Sequence, residues 1–201
     1  MFLPRFATSS VAFSLALLCT PASSLALNDS KIAETETGIT ENLGGAIDLE
    51  APFIDETGQP TTLRKAMVPN RPFILAPVYY SCPHLCTLTL NGLATLIKEV
   101  KLKLGEDFSV LAYTIKPEET AELAAKKRAN YLREISQVPG RESWRFLTGP
   151  AESSTALSRA VGFRYLRDGT EYAHAATVLV ITPGGKISKY LFGIMYDPEE
   201  A

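Results

Sequence analysis

Two unbroken apolar runs constrain this chain more than any other feature. Residues 71–81 read RPFILAPVYYS and residues 108–115 read FSVLAYTI, and neither alternates strictly between apolar and polar. A half-buried strand alternates; a strand covered on both faces does not. Both runs are therefore expected to be central strands with a layer on each side. Between them Leu88, Leu93, Leu96, Ile97, Val100 and Leu104 recur at helical spacing, which predicts a helix over residues 84–104, ended by Gly105. Strand, helix, strand in that order is the unit of a parallel sheet.

The rest of the chain extends the pattern. Pro117 is expected to open a second helix, with Glu118 and Glu119 at its positive end, running to about Gln137 before Pro139-Gly140. WRFLTG (144–149) reads as a short strand and PAESSTALSRAV (150–161) as a short helix. TVLVITP (177–183) and KISKYLFGI (186–194) read as two strands joined through Pro183-Gly184-Gly185. Upstream, FIDETGQPTTL (53–63) has turn residues at Gly58 and Pro60 and predicts a hairpin. The expected architecture is α/β: a central mixed sheet flanked by helices, with an N-terminal hairpin extension. That layout matches a thioredoxin-like fold.

The N-terminus has a different character. Arg5 is followed by the apolar stretch VAFSLALLC (11–19), and Ser24 and Ala26 stand at −3 and −1 of a cleavage site. This predicts a signal peptide over residues 1–26 and an exported, periplasmic product. The stretch is shorter than the ~20 residues that span a bilayer as a helix. An uncleaved anchor facing the periplasm is the alternative; with cleavage, no substantial membrane contact is expected. Cys19 leaves with the leader, and Leu18 before it is not the small residue of a lipidation site. Residues 27–45 are polar and aperiodic and read as a linker to a domain over 46–201. The formal net charge of −2 gives no electrostatic footprint for nucleic acid. Lys126-Lys127-Arg128 reads as a solvated helix face among Glu118, Glu119, Glu122 and Glu134.

The mature chain keeps two cysteines, Cys82 and Cys86, in VYYSCPHLCTLTLNGL (78–93). They follow the first buried strand, with Pro83 in the first helical turn. Residues at i and i+4 share a helix face, and a helix N-terminus stabilises thiolate. A disulfide across so short a loop removes little chain entropy; a metal and a nucleophile are the other possibilities. Each helical residue turns about 100°, which sets His84 about 160° from either cysteine. His174 is the better partner: if TVLVI runs antiparallel to FILAPVYY, its start meets Cys82. Two thiolates and one imidazole suit Cu(I) and can also hold Cu(II). Zinc fits less well, since a structural zinc site takes four protein ligands. Met67 and Met195 are expected to be packing residues.

These residues carry a resemblance. YYSCPHLC, followed much later by YAHAATVLVITPGGKISKYLFGI, resembles the Sco/SenC family of copper-binding proteins over about residues 42–198. The resemblance implies a thioredoxin-like fold and copper, as Cu(I) and Cu(II), on Cys82, Cys86 and His174. It also implies a metallochaperone that delivers copper to the binuclear copper centre of cytochrome c oxidase. The partner would be the copper-receiving oxidase subunit, with other copper chaperones or thiol reductants beside it. The alternative is an extracytoplasmic thiol–disulfide oxidoreductase that reduces the cysteines of that subunit. The usual redox motif is C-x-x-C, and the extra residue here, with His174, favours metal over enzyme. A peroxidase is a poor fit, because Tyr79 stands where the peroxiredoxins carry Thr or Ser. Three positions depart from the family: Lys116 before Pro117 where Asp is common, Ala173 where an acid often precedes the histidine, and an end at DPEEA where a further helix is usual.

Overall fold

The two apolar runs form β4 (Phe73–Val78) and β5 (Ser109–Thr114), buried at every residue. They pair in parallel from Phe73↔Ser109 to Val78↔Thr114. The structure, a computed structural model, describes residues 37–200. Before this pair come β1 (Gly38–Ile39), the hairpin β2 (Pro52–Ile54) and β3 (Pro60–Thr62), and the single turn α1 (Leu63–Ala66). α2 (Leu85–Glu99) joins β4 to β5, and α3 (Ala121–Glu134) leads to β6 (Trp144–Leu147). α4 (Ala151–Ala160), β7 (Phe163–Asp168), β8 (Glu171–His174), β9 (Thr177–Ile181) and β10 (Ile187–Phe192) complete the order.

The central sheet runs β10-β9-β4-β5-β6, parallel at β4-β5-β6 and antiparallel at β10 and β9. It is thioredoxin-like, as expected. Side chains alternate across a strand, so the faces can be read from partners. Trp144 and Phe146 of β6 stack with Tyr131 of α3, whose hydroxyl bonds Asn91 of α2 at 3.0 Å. That places α2 and α3 on one face. Tyr113 of β5, out of phase with Ala112 beside Phe146, bonds Ser158 of α4 at 2.9 Å on the other.

Several expectations need correction. α2 ends at Glu99 rather than Leu104, because Val100 turns extended and Asp107 captures the Lys103 N–H in a following turn. Leu104 is still buried, now by bridging Phe108. α3 starts at Ala121, capped by the Thr120 side chain, so Pro117, Glu118 and Glu119 precede it; it ends at Glu134. Arg128 is not a solvated cation: it bonds the Trp144 carbonyl at 2.8 Å and pairs with Glu56 and Glu142. Met67 is packed, but Met195 lies past β10 and is 86% exposed. Leu88, counted in the buried helix face, is exposed. The supposed linker is tied down from Gly38 onward, by β1 pairing with β7 and by Gly44 and Gly45 bonding Ile187.

The largest omission is a second sheet, β1-β7-β8. Its hairpin turns at Gly169, φ +60°, between Asp168 and Glu171. The Asp168-Gly169 dipeptide was the available signal. Among the described residues no helix is long and apolar enough to cross a membrane. The leader over residues 1–26 and the first part of the linker lie outside the described residues.

Candidate metal centre

β4 delivers the cysteines. Its last ladder bond is the Ile115 N–H to the Val78 carbonyl. Tyr79, Tyr80 and Ser81 then carry the chain to Cys82, whose N–H returns to the Tyr79 carbonyl at 3.3 Å. Tyr80 anchors this turn by donating its hydroxyl to the Leu147 carbonyl at 2.7 Å and packing on Phe146. The helix proper begins only at Leu85, so Pro83 and His84 belong to the turn. His84 occupies the N-cap with φ −122° and ψ −101°, makes no side-chain capping bond and is exposed. The backbone at His84 is thus non-helical, and the helical rotation the sequence suggested does not apply there.

The two sulfurs differ. Cys82 Sγ accepts the Cys86 N–H at 3.4 Å, as a helix N-terminal anion would. The hydrogen bond from the Cys86 thiol, then the Tyr79 hydroxyl and the N–H groups of Cys86 and His84, lower its pKa from the ordinary thiol value against the opposing effect of burial. Cys86 has no solvent exposure, and burial first, then the neighbouring Cys82 sulfur, pushes its thiol up. The two shifts run in opposite directions, so Cys82 is the sulfur that gives up its proton more readily.

His174 closes the site from the other sheet. It ends β8 opposite Tyr165, packed between Phe163 and Tyr79. Its Nε2 lies 3.1 Å from Cys86 Sγ, and its Nδ1 lies 2.9 Å from the Ala175 carbonyl. A carbonyl only accepts, so Nδ1 carries the proton and Nε2 offers a lone pair to the sulfur. The Cys86 proton therefore has two acceptors in reach, the Cys82 thiolate and the imidazole. Two soft sulfurs and an imidazole with a fixed tautomer fit a soft or borderline metal ion once that proton leaves. The three side chains are not a ready-made cage: among the described residues no group of three or more His, Cys, Asp or Glu is clustered to hold a metal.

Sequence reasoning missed the supports. The Tyr79 hydroxyl donates to Glu171 at 2.5 Å, and burial followed by that bond raises its pKa. Lys116 reaches the Ser81 hydroxyl at 3.3 Å and the Thr170 carbonyl at 3.2 Å, bridging the cysteine loop to the β7–β8 turn. Glu119 grips the backbone ahead of Cys82. The sequence marked Lys116 only as a departure from the family pattern, and no sequence signal pointed to Tyr79 or Glu119, because each meets its partner only through the fold.

The SCO1/SenC family model matches residues 43–201. The chain belongs to the SCO1/SenC family. No curated protein matches it. A protein of Aquifex aeolicus VF5, described as a candidate electron-transfer protein, is 26% identical, with a TM-score of 0.69 over 79% of this chain and 89% of its own. Copper-bound ScoI of Arabidopsis thaliana is 19% identical, with a TM-score of 0.60 over 79% of this chain and 92% of its own. BsSco, described with a disulfide switch and as a member of the Sco family of cytochrome c oxidase assembly proteins, is 18% identical. Its TM-score is 0.59 over 82% of this chain and 93% of its own. This SCO1/SenC chain shares their fold.

Proposed function

We propose that the protein is an exported copper-binding assembly factor that delivers copper to the binuclear copper centre of cytochrome c oxidase. Cys82, Cys86 and His174 are its ligands, and the oxidase subunit that receives the metal is its partner. The observation that carries the reading is the approach of His174 Nε2 to Cys86 Sγ at 3.1 Å with Nδ1 already engaged. An imidazole so held has one free lone pair, and it faces sulfur. Family membership supports the same reading, since relatives of this fold are described with copper bound. Bound copper would supply the charge that replaces the Cys86 proton; the protein positions both sulfurs and holds the imidazole tautomer. Titration of the reduced protein with Cu(I) and Cu(II), beside Cys82→Ala, Cys86→Ala and His174→Ala, tests it. One copper per chain, and weaker binding with an altered sulfur-to-copper visible band in either cysteine variant, are expected. Unchanged stoichiometry and spectrum in Cys86→Ala would sink the two-thiolate site.

A second reading has its own observation, the asymmetry of the pair: Cys82 Sγ accepts the Cys86 N–H at the start of α2, while Cys86 has no solvent exposure. In a thiol–disulfide oxidoreductase the Cys82 thiolate attacks a substrate disulfide and expels one substrate thiolate. Cys86, losing its proton, then attacks the Cys82 sulfur and expels the second. Two electrons pass to the substrate and the pair becomes a disulfide, which an external dithiol must reduce again. Disulfide reduction by the metal-free protein that is lost in His174→Ala, with copper binding retained in that variant, would favour this reading.

A further inference from the structure

We propose that Glu119 is the positioning residue of the thiol centre: its carboxylate grips the backbone of the loop that presents Cys82 and fixes where that sulfur stands. The inference rests on Cys82 being a ligand. β4 and β5 stop pairing at Val78↔Thr114, so the next backbone groups have no strand to bond. Tyr80 N–H and Ser81 N–H both find Glu119, at 2.7 Å to Oε2 and 2.7 Å to Oε1. One carboxylate thus holds two consecutive peptide N–H groups, one with each oxygen. The Thr114 hydroxyl donates to Oε2 at 2.6 Å and fixes the carboxylate to the end of β5. Glu119 is 8% exposed, and these partners are N–H and O–H donors rather than a cation.

The consequence for the metal centre follows from connectivity. Ser81 is bonded to Cys82, and only Cys82 lies outside both the sheet and the helix; Cys86 is carried by α2. Charge-assisted bonds to two adjacent peptides remove the freedom that the loop would otherwise have. The carboxylate also places a fixed negative charge behind the loop, favouring a cation in front of it. Glu119 thereby acts through Cys82 and touches no metal itself.

Amide hydrogen exchange of the metal-free protein reads the grip directly. Tyr80 and Ser81 amides are expected to exchange slowly in the unsubstituted protein and at least about tenfold faster in Glu119→Gln. In Cu(II) titrations, Glu119→Gln is expected to lose at least about tenfold in affinity and to change the copper hyperfine splitting in electron paramagnetic resonance. Thr114→Val removes a donor to the same carboxylate but leaves both loop bonds. It is expected to shift affinity and spectrum in the same direction as Glu119→Gln but several-fold less, because the two bonds that act on the cysteine loop remain. If Glu119→Gln does not fold, Glu119→Asp replaces it; one methylene shorter, it keeps the charge but cannot span both N–H groups. Free exchange at Tyr80 and Ser81 in the unsubstituted protein overturns the proposal. So does an unaltered copper spectrum in the Glu119 variant, or an equal disturbance in Thr114→Val. An unsubstituted protein that binds no copper overturns the copper reading instead, and the exchange rates then decide for Glu119.

Discussion

The two halves of the candidate centre are held in different ways. Cys86 sits on α2, whose Leu90, Leu93 and Ala94 are fully buried against the central sheet. His174 sits at the end of a hairpin in the second sheet, whose burial falls away toward the turn. What ties the outer part of that hairpin to the rest is mainly polar: Tyr79 to Glu171, Lys116 to the Thr170 carbonyl and Arg167 to Glu118. Apolar burial is worth about 25 cal/mol per Å² and is insensitive to direction, whereas exposed ion pairs contribute about 0–1 kcal/mol each. Cys86 is thus fixed by the core, whereas the outer part of the hairpin that carries His174 is held by a few directional contacts at its rim.

The sharpest way to break this comparison is to damage each half separately. Leu93→Ala removes a side chain with no exposure and is expected to cost about 2–5 kcal/mol in chemical denaturation. His174→Ala is expected to leave stability nearly intact, yet to lower Cu(II) affinity at least about tenfold and erase the imidazole nitrogen splitting in electron paramagnetic resonance. Equal stability losses in the two variants would mean that the halves are not held differently.

A smaller effect tests the packing of α2 itself. A Cβ at Gly92 would lie 2.1 Å from the Ile194 carbonyl oxygen, a backbone atom that can yield only if the loop after β10 moves. Gly92→Ala is expected to cost about 1–3 kcal/mol, with the loss tracked by thermal melting and the His174 contacts unchanged in nuclear magnetic resonance spectra.

The sulfur half can be sharpened by pH. Because the Cys82 pKa is lowered in the fold, its thiolate stabilises the folded state fully above the ordinary thiol value of 9.0, and that contribution is lost as pH falls through the lowered value. Iodoacetamide should therefore modify Cys82 of the metal-free protein below pH 9.0 and leave Cys86 unmodified. Equal labelling of both would remove the distinction between the sulfurs. The smallest expected change is at the rim: Tyr79→Phe removes the bond to Glu171 and should cost about 0.5–1.5 kcal/mol, with greater mobility of the His174 ring than of any α2 side chain.

The same division explains what could be read in advance. β4, β5 and α2 were legible because burial on both faces, or on one helical face, leaves a periodic trace in residues 71–115. The β7–β8 hairpin was not, since FRYLRD and EYAH are only partly covered and show no clean period. His174 was singled out on the condition that β9 run antiparallel to β4, and that pairing is present from Phe73↔Ile181. Pro117-Glu118-Glu119 looked like a helix start by composition, yet the buried loop N–H groups compete for Glu119, and Thr120 takes the cap. Such competition is settled by tertiary contacts and leaves no mark on local sequence.

Cys86 and His174 are 88 residues apart, and that interval is also one of time. A chain made from its N-terminus has both thiols long before it has the imidazole. The distance between them closes only after β7, β8 and β9 have been made and docked, a late event because distant contacts form against the entropy of the intervening chain. A partly folded molecule therefore has its two sulfurs before it has the imidazole beside them.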